Sequence, residues 1–451
     1  MSFTAIVLSP KLVLLNNTDM KIVNSSPVTS FGGLNFVIKE VIDLKINELL
    51  NSSLPTLANQ SKYTWFDIIM SYWSAFFCGG DCAEDLAINL KDGLRNNPFI
   101  NIPSPDRVLT RLKSLADAPE FYTTHRGKKD HQFSLASHLN RLNLKMLSLL
   151  PGFKKENVVL DYDNTLIFTE KADAKMTYKR EFGYCPGVGM IGKHIVYVEN
   201  RNGNSTAHVL QHETIERMAS MLHEAGITID VIRADSASYT YEIIKAMEKN
   251  ANRIFIKARM TDTLERAISG IKDWKEIKIG DNVVLRGSTT FVPFVRYARD
   301  NNDKTDSLKE YRVVITKENR RDGQINMFTG EACNYSPILT NDFEMTDDQV
   351  VFFYNARGGE EKEFDVVKND FGWNKLPFSR MEQNAVFLLI MAMCKNLYVH
   401  VIEQFSKKVK FLSPDFRIKK FIFRFVCIPA KWIKSARTLK LRLYGNLTFQ
   451  T

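Results

Sequence analysis

"NVVLDYDNTLIF", Asn157 to Phe168, decides how this 451-residue chain is read. It is an apolar, β-branched run closing on two aspartates, Asp161 and Asp163, one residue apart. Such a run reads as a largely buried strand. Alternation along a strand sends both carboxylates to the same face. Either both act on one phosphate, or one of them joins carboxylates brought from elsewhere in the chain.

Working outward, the neighbouring segments are of the same kind. "KHIVYVEN", "ITIDVIR" and "RIFIKA" are short β-branched runs, and "TIERMASMLHEAG", "YTYEIIKAMEKN" and "TLERAISGI" carry helical spacing between or after them. Strands followed by alternating strands and helices predict an α/β domain. From about 276 to 352 the chain turns β-rich and polar ("NVVLRGSTTFVPFV", "YRVVITKE", "QINMFTG"), as an insertion would, and "EEKEFDVVKNDFG" and "RMEQNAVFLLIMAMCKNLYVHVIEQF" then read as helices. Residues 1 to about 150 read as mainly helical. "LNFVIKEVIDLKINELL" and "DIIMSYWSAFF" have helical spacing, as does "CAEDLAINLKDGL", and "SPDRVLTRLKSLA" opens on Ser104 as N-cap with Pro105 at the first helical position. Helix, turn, basic helix is compatible with a DNA-binding pair and equally with a structural one.

Charge is unevenly spread. Of 61 Lys and Arg and 51 Asp and Glu, twelve bases and two acids (Glu403, Asp415) fall in residues 401–451, leaving 49 of each before them. A basic terminus of this kind suits a polyanion, and the alternative is a solvated basic face. Its "FSKKVKFLSPDFRIKKFIFRF" and "KWIKSARTLKLRLYG" interleave bases with aromatics. The six cysteines are scattered, and "CGGDC" has no second pair to complete a zinc site, so reduced thiols are expected. The longest apolar run, "AVFLLIMAMC", is about half a membrane span. No targeting segment is expected.

Three motifs compete for the chemistry. "LDYDNTL" resembles the first motif of haloacid-dehalogenase-type phosphatases, in which Asp161 would be the nucleophile and Asp163 the general acid and base. The late metal loop of that reading, "KIGDNVVL", has no acid soon after Gly280-Asp281, so a magnesium there would be poorly held. "GVGMIG", Gly187 to Gly192, matches a dinucleotide fingerprint, but "KHIVYVEN" after it is a strand and not a helix, so it is read as a flexible loop. His208 and His212 in "HVLQHE" are one helical turn apart without an evident third metal ligand.

The fourth constellation is "YNARGGEEKEFDVVKNDFG". Tyr354, Arg357, Glu361 and Lys368 fall at offsets 0, 3, 7 and 14, which on a helix gather within about 60–80°. This stripe resembles the Tyr-Arg-Glu-Lys signature, Tyr-x2-Arg-x3-Glu-x6-Lys, of bacterial insertion-sequence DDE transposases, in particular the insertion sequence thirteen-eighty group. "FGGLNFVIKEV", "SPDRVLTRLK", "VIRADSASYTYEII" and "KNDFGWNKLPFSRMEQNAVFLLIMAMCKNLY" are similar to other segments of that group.

The resemblance implies a ribonuclease-H-like catalytic domain at 151–400 with its β-rich insertion at about 276–352. A helical DNA-end-binding domain at 1–150 would precede it, and a basic helical region at 401–451 would follow. It implies Asp163, Asp235 and Glu361 as catalytic metal ligands, chosen with "DNT" in mind, and Asp161 as a secondary candidate. Two Mg²⁺ ions would serve, with Mn²⁺ able to substitute. Tyr354, Arg357 and Lys368 would contact DNA phosphates, with Trp274 or Trp373 as an aromatic platform or simply core. The implied reaction is cut-and-paste transposition: hydrolysis at transposon ends, then attack of the freed 3′-hydroxyl on target DNA. Partners would be terminal inverted repeats, target DNA and a second copy in a homodimer, with no membrane, in the bacterial cytoplasm at the nucleoid. The alternatives are the phosphatase and a captured, catalytically silent DNA-binding relative.

Overall fold

A computed structural model describes residues 13–15, 18–20, 28–94, 97–124, 128–279, 282–295, 297, 309–320, 323–325, 331–435 and 438–445. Its centre is one eleven-stranded sheet. In chain order the strands are β1 (Glu120–Thr123), β2 (Asp130–Ser134), β3 (Val158–Asn164), β4 (Gly187–Ile191), β5 (His194–Arg201), β6 (Ile229–Ala234), β7 (Arg253–Lys257), β8 (Lys275–Ile279), β9 (Asn282–Phe291), β10 (Tyr311–Asn319) and β11 (Cys333–Thr340). Across the sheet the order is β8-β9-β10-β11-β7-β6-β3-β4-β5-β2-β1. β3, β6 and β7 are mutually parallel, and β4 and β11 flank them antiparallel. β6 and β7 are each reached through a helix, Gln211–Glu224 and Tyr241–Asn250, as parallel pairing requires.

The opening stretch is the pivot of this sheet. Val158, Leu160 and Tyr162 are fully buried in the main core. Val159 packs on the other face with Val231, Phe255, Val350, Val351 and Tyr354, beneath the helix Asp347–Asn355. By alternation Asp161 and Asp163 share the face of Val159. The second helix of this region, Gly359–Asp370, follows a three-residue 3₁₀ turn at Ala356–Gly358.

The main core joins both ends of the chain, running from Leu34 to Val426. The N-terminal third is mainly helical (Leu34–Asp43, Ile46–Ser53, Trp65–Phe77, Pro105–Lys113, Ser137–Leu149), and its hairpin β1–β2 extends the central sheet. "CAEDLAINLKDGL" forms only a π-helical turn, Leu86–Leu90. The helix Met381–Lys408 has its most apolar stretch wholly inside the protein. It is tied to β5 by Asn396, whose amide exchanges hydrogen bonds with the backbone of Ile195 at 2.9 and 2.8 Å.

Two further expectations fail. "GVGMIG" is not a flexible loop: Gly187 to Ile191 is the buried strand β4, hydrogen-bonded on both sides. Its glycines make room for neighbours, since a Cβ on Gly187 would lie 2.1 Å from the Tyr162 hydroxyl and one on Gly189 2.2 Å from Met218 Sδ. The basic C-terminus is not helical throughout. After a short helix at Ile418–Phe421 it forms a β-hairpin, Ala430–Ser435 with Thr438–Leu443. Leu439, Leu441 and Leu443 alternate with Lys440 and Arg442, a period of two. Gly32 and Gly33 of "FGG" let this region close on the N-terminus: their N–H groups donate to Ile428 O (2.6 Å) and Val426 O (3.1 Å), where any Cβ would clash.

Candidate active site at the carboxyl ends of the parallel strands

β3 and β6 are paired so that Asp161 lies beside Arg233 and Tyr162 beside Ala234. The next step of that register brings Asp163, near the end of β3, beside Asp235, the first residue after β6. Asp235 caps the turn Ser236–Ser238, accepting from Ala237 N (3.0 Å), Ser238 N (3.3 Å) and Ser238 Oγ (3.2 Å). Asp163 Oδ1 accepts from Asn164 N at 2.7 Å. Its other oxygen lies 2.8 Å from Arg357 Nη2, which is also 3.4 Å from Glu360 Oε2.

These groups carry more acid than they can neutralise. Asp163 is pushed up to about 6, first by burial and then by Asp235, although Arg357 pulls the other way. Glu360, only 4% exposed, is pushed up to about 9 by burial, with Asp161 and Asp163 adding to it against Arg357. Among the described residues neither Glu360 oxygen has a hydrogen-bond partner, and Arg357 Nη2 makes its ion pairs out of hydrogen-bond alignment. Lys368 is half-buried, and burial lowers its ammonium while Cys185 and Asp163 oppose that. Among the described residues it has no acidic partner.

Asp161 is committed elsewhere. It is 4% exposed and bound by both arms of Arg233, Nε to Oδ1 and Nη2 to Oδ2, each at 2.5 Å. Arg233 also donates to Phe353 O and stacks over the Phe353 ring at 5.0 Å. Bidentate pairing uses the carboxylate's acceptor directions, so Asp161 fastens the Asp347–Asn355 helix to the sheet instead of standing free as a nucleophile or metal ligand. The sequence held the clue: Asp161-x-Asp163 and Arg233-x-Asp235 have the same spacing, which becomes contact once β3 and β6 are paired in parallel.

Tyr354 is buried, with its hydroxyl donating to Ala234 O at 3.1 Å, one residue before Asp235. It steadies that strand end and is not free to stack on a base. Trp373 is fully buried and Trp274 half-buried under the Lys317 ammonium, 5.5 Å from the ring centroid. Glu361 is exposed and makes no contact with either aspartate among the described residues; Glu360 is the inward one. The 3₁₀ turn at Ala356–Gly358 explains the difference. Each of its residues turns about 20° further than an α-helical residue, so helical angles counted through it drift by about 60°.

Oxygen ligands, surplus negative charge and a carboxylate pair on adjacent strand ends suit a hard divalent cation. The donor set is open, since Asp163, Asp235 and the glutamates do not converge on one point as they stand. A tighter cluster, Asp81, Cys82 and Asp85, lies elsewhere, but Asp85 Oδ2 there accepts from Asp81 N (2.9 Å) and Cys82 N (3.3 Å) as a turn does. Gly280-Asp281 of the phosphatase reading falls outside the described residues, and the strands on either side of it, β8 and β9, form the far edge of the sheet.

No curated protein matches the chain. Among solved structures it is similar to a piggyBac transposase in a synaptic complex with hairpin DNA, seen by cryo-electron microscopy. The identity is 11%, over 88% of this chain and 78% of that one, with a TM-score of 0.42. The sequence model of the family "Transposase DDE domain group 1" matches residues 20–451. Spanning nearly the whole sequence, that match means that the chain belongs to the DDE transposase family.

Proposed function

We propose that this protein is a cut-and-paste DNA transposase with a ribonuclease-H-like catalytic core. The observation that carries the reading is the pair Asp163 and Asp235 at the carboxyl ends of adjacent parallel strands, with Arg357, Glu360 and Lys368 brought over them by one helical segment. The strand order supports the core: β5, β4 and β3 antiparallel, then β6 and β7 parallel to β3, with β8–β11 inserted before the Asp347–Asn355 helix. In this reading residues 1–150 engage transposon ends, 151–400 cut them, and 401–451 bind backbone. Cross-strand pairing sets Lys431, Lys440 and Arg442 on one face of the C-terminal hairpin, which supports the last part.

Asp163, Asp235 and Glu361 are the proposed ligands of two divalent ions, Mg²⁺ or in its place Mn²⁺. Glu361 is preferred to Glu360 because it is reachable from solvent and fits the transposase spacing, whereas Glu360 is closed in with Asp161, Arg233 and Arg357. When bound, the ions supply charge stabilisation for the attacking and leaving oxygens of a phosphodiester. Arg357 and Lys368 hold phosphate oxygens, the guanidinium through two parallel hydrogen bonds. Burial raises the Asp163 carboxyl, so a divalent cation must displace a proton there, and metal binding weakens as the pH falls.

The test compares two neighbours on labelled DNA carrying the sequences that flank the gene. Glu361→Gln should lose Mg²⁺-dependent cleavage by about two or more orders of magnitude, the scale for removing a group that stabilises developing charge, and keep DNA binding. Glu360→Gln should keep measurable cleavage. The reverse order would assign the metal to Glu360, and undiminished cleavage by both variants would remove the helix from the chemistry.

A further inference from the structure

Between β3 and β4 the chain makes a small three-stranded sheet of Ile167–Phe168, Lys175–Met176 and Phe182–Tyr184. It begins three residues after Asn164, close in sequence to Asp163. Its base is firmly held. Tyr184 donates to Asp173 Oδ1, Asp173 Oδ2 accepts from Met381 N (2.8 Å) at the start of the long helix, and Gly203 N donates to Gly183 O (2.9 Å). A Cβ on Gly203 would lie 2.4 Å from Lys175 O, so the fit there is close.

Its rim is the opposite. Tyr178 is 65% exposed and Phe182 50%, with Met176 paired directly across from Phe182 and 47% exposed. Lys175, Lys179 and Arg180 stand exposed beside them and have no acidic partner among the described residues. Lys179 Nζ lies 5.6 Å from the Tyr178 ring centroid. Burial raises the Tyr178 phenol, and Cys185, Asp163 and Asp235 add to it, so the ring stands within the field of the catalytic carboxylates.

Exposed rings flanked by unpaired bases, on a rigid support, fit one kind of ligand better than others. Duplex DNA offers phosphates but hides its base faces. A single strand offers both, and aromatic rings with cations nearby are what such strands bind. We propose that the hairpin Lys175–Phe182 is a single-strand nucleic-acid site, with Tyr178 and Phe182 stacking on unpaired bases and Lys175, Lys179 and Arg180 following the backbone into the carboxylate site. The assignment rests on the transposase reading only for where that strand leads.

The experiment uses the full chain and an oligonucleotide carrying 2-aminopurine, single-stranded or annealed to its complement. Stacking quenches 2-aminopurine, so the wild-type protein should quench the single strand. Tyr178→Ala and Phe182→Ala should each weaken single-strand binding about tenfold and relieve quenching, with duplex binding little changed. Tyr178→Phe should retain both, which controls for folding. Equal loss on single strand and duplex, or no loss on either, would overturn the proposal. So would a change of oligomeric state with strand binding intact, which would make the patch a self-association face. If wild type quenches but never cleaves DNA, the transposase reading falls while the single-strand site stands.

Discussion

Glu199 on β5 and Asp163 on β3 are acids on the same sheet with only β4 between their strands, and each has an arginine beside it. Around Glu199 every acceptor direction is used. Arg201 Nε (3.0 Å) and Thr214 Oγ1 (3.0 Å) donate to one oxygen, and Tyr197 OH (2.9 Å) and Arg217 Nη2 (2.9 Å) to the other. Although Glu199 is fully buried, Arg201 and Arg217 outweigh that burial and hold its carboxyl below the ordinary range. Around Asp163 the count fails: among the described residues neither Glu360 oxygen accepts a hydrogen bond, Arg357 is shared between two acids, and both acids are pushed up. An acid with every acceptor filled is made for stability, although Arg201 Nη1 and Arg217 Nε beside it have no hydrogen bond among the described residues. An open network with surplus acid is a place where positive charge from outside has something to gain.

The comparison breaks most visibly on the closed side. Glu199→Gln leaves Arg201 buried beside a neutral amide and should cost about 3–5 kcal/mol of stability in urea unfolding, without changing cleavage per folded molecule. A loss below about 1 kcal/mol would mean that the network contributes little to the fold.

The two clusters should also respond to pH with opposite sign. Asp163 has a folded value raised from 3.8 to about 6, so the folded state binds more protons than the unfolded in that window. Its contribution is present below pH 3.8 and is lost as the pH rises through about 6, by an upper limit of about 3 kcal/mol. Glu199 is lowered, so its contribution is present above its unfolded value and is lost as the pH falls. Urea unfolding of Asp163→Asn between pH 4 and 7, without divalent cation, should show a shallower decline than wild type. Glu360, raised in the same sense, keeps part of the slope. An unchanged slope would show that Asp163 is not the strained acid.

The smallest effect is expected at Tyr354→Phe, which removes the hydrogen bond to Ala234 O. It should cost about 1 kcal/mol or less and slow cleavage only as far as Asp235 is loosened. A collapse of cleavage with unchanged stability would return Tyr354 to direct contact with DNA.

Much of this was legible in the residues. β-branched runs marked β3, β5, β6 and β7, and the spacing from Tyr354 to Lys368 marked the helical segment over the site. What escaped depended on contacts between distant segments. β4 was hidden because its glycines answer to Tyr162 and Met218, which no local pattern reveals. The inward turn of Glu360 depends on a 3₁₀ turn that two glycines allow but do not dictate. Asp161 looked like a nucleophile until Arg233 lay beside it. The C-terminal hairpin is written in a period-two alternation of leucine with Lys440 and Arg442, which the density of basic and aromatic residues around it obscures. The rim at Tyr178 and Phe182 has no periodic signature, because its exposure follows from how the small sheet is held at its base by Asp173 and Gly203.

The most direct test of the central claim is cleavage of end-labelled DNA containing the sequences that flank the gene, with Mg²⁺ or with chelator, by wild type, Asp163→Asn and Asp235→Asn. The account predicts a Mg²⁺-dependent strand cut leaving a 3′-hydroxyl, reduced by about two or more orders of magnitude in each variant, with DNA binding intact in all three. Wild-type-level cleavage by Asp163→Asn, or hydrolysis of a generic phosphate ester by a wild-type protein that never cuts the DNA, would contradict it.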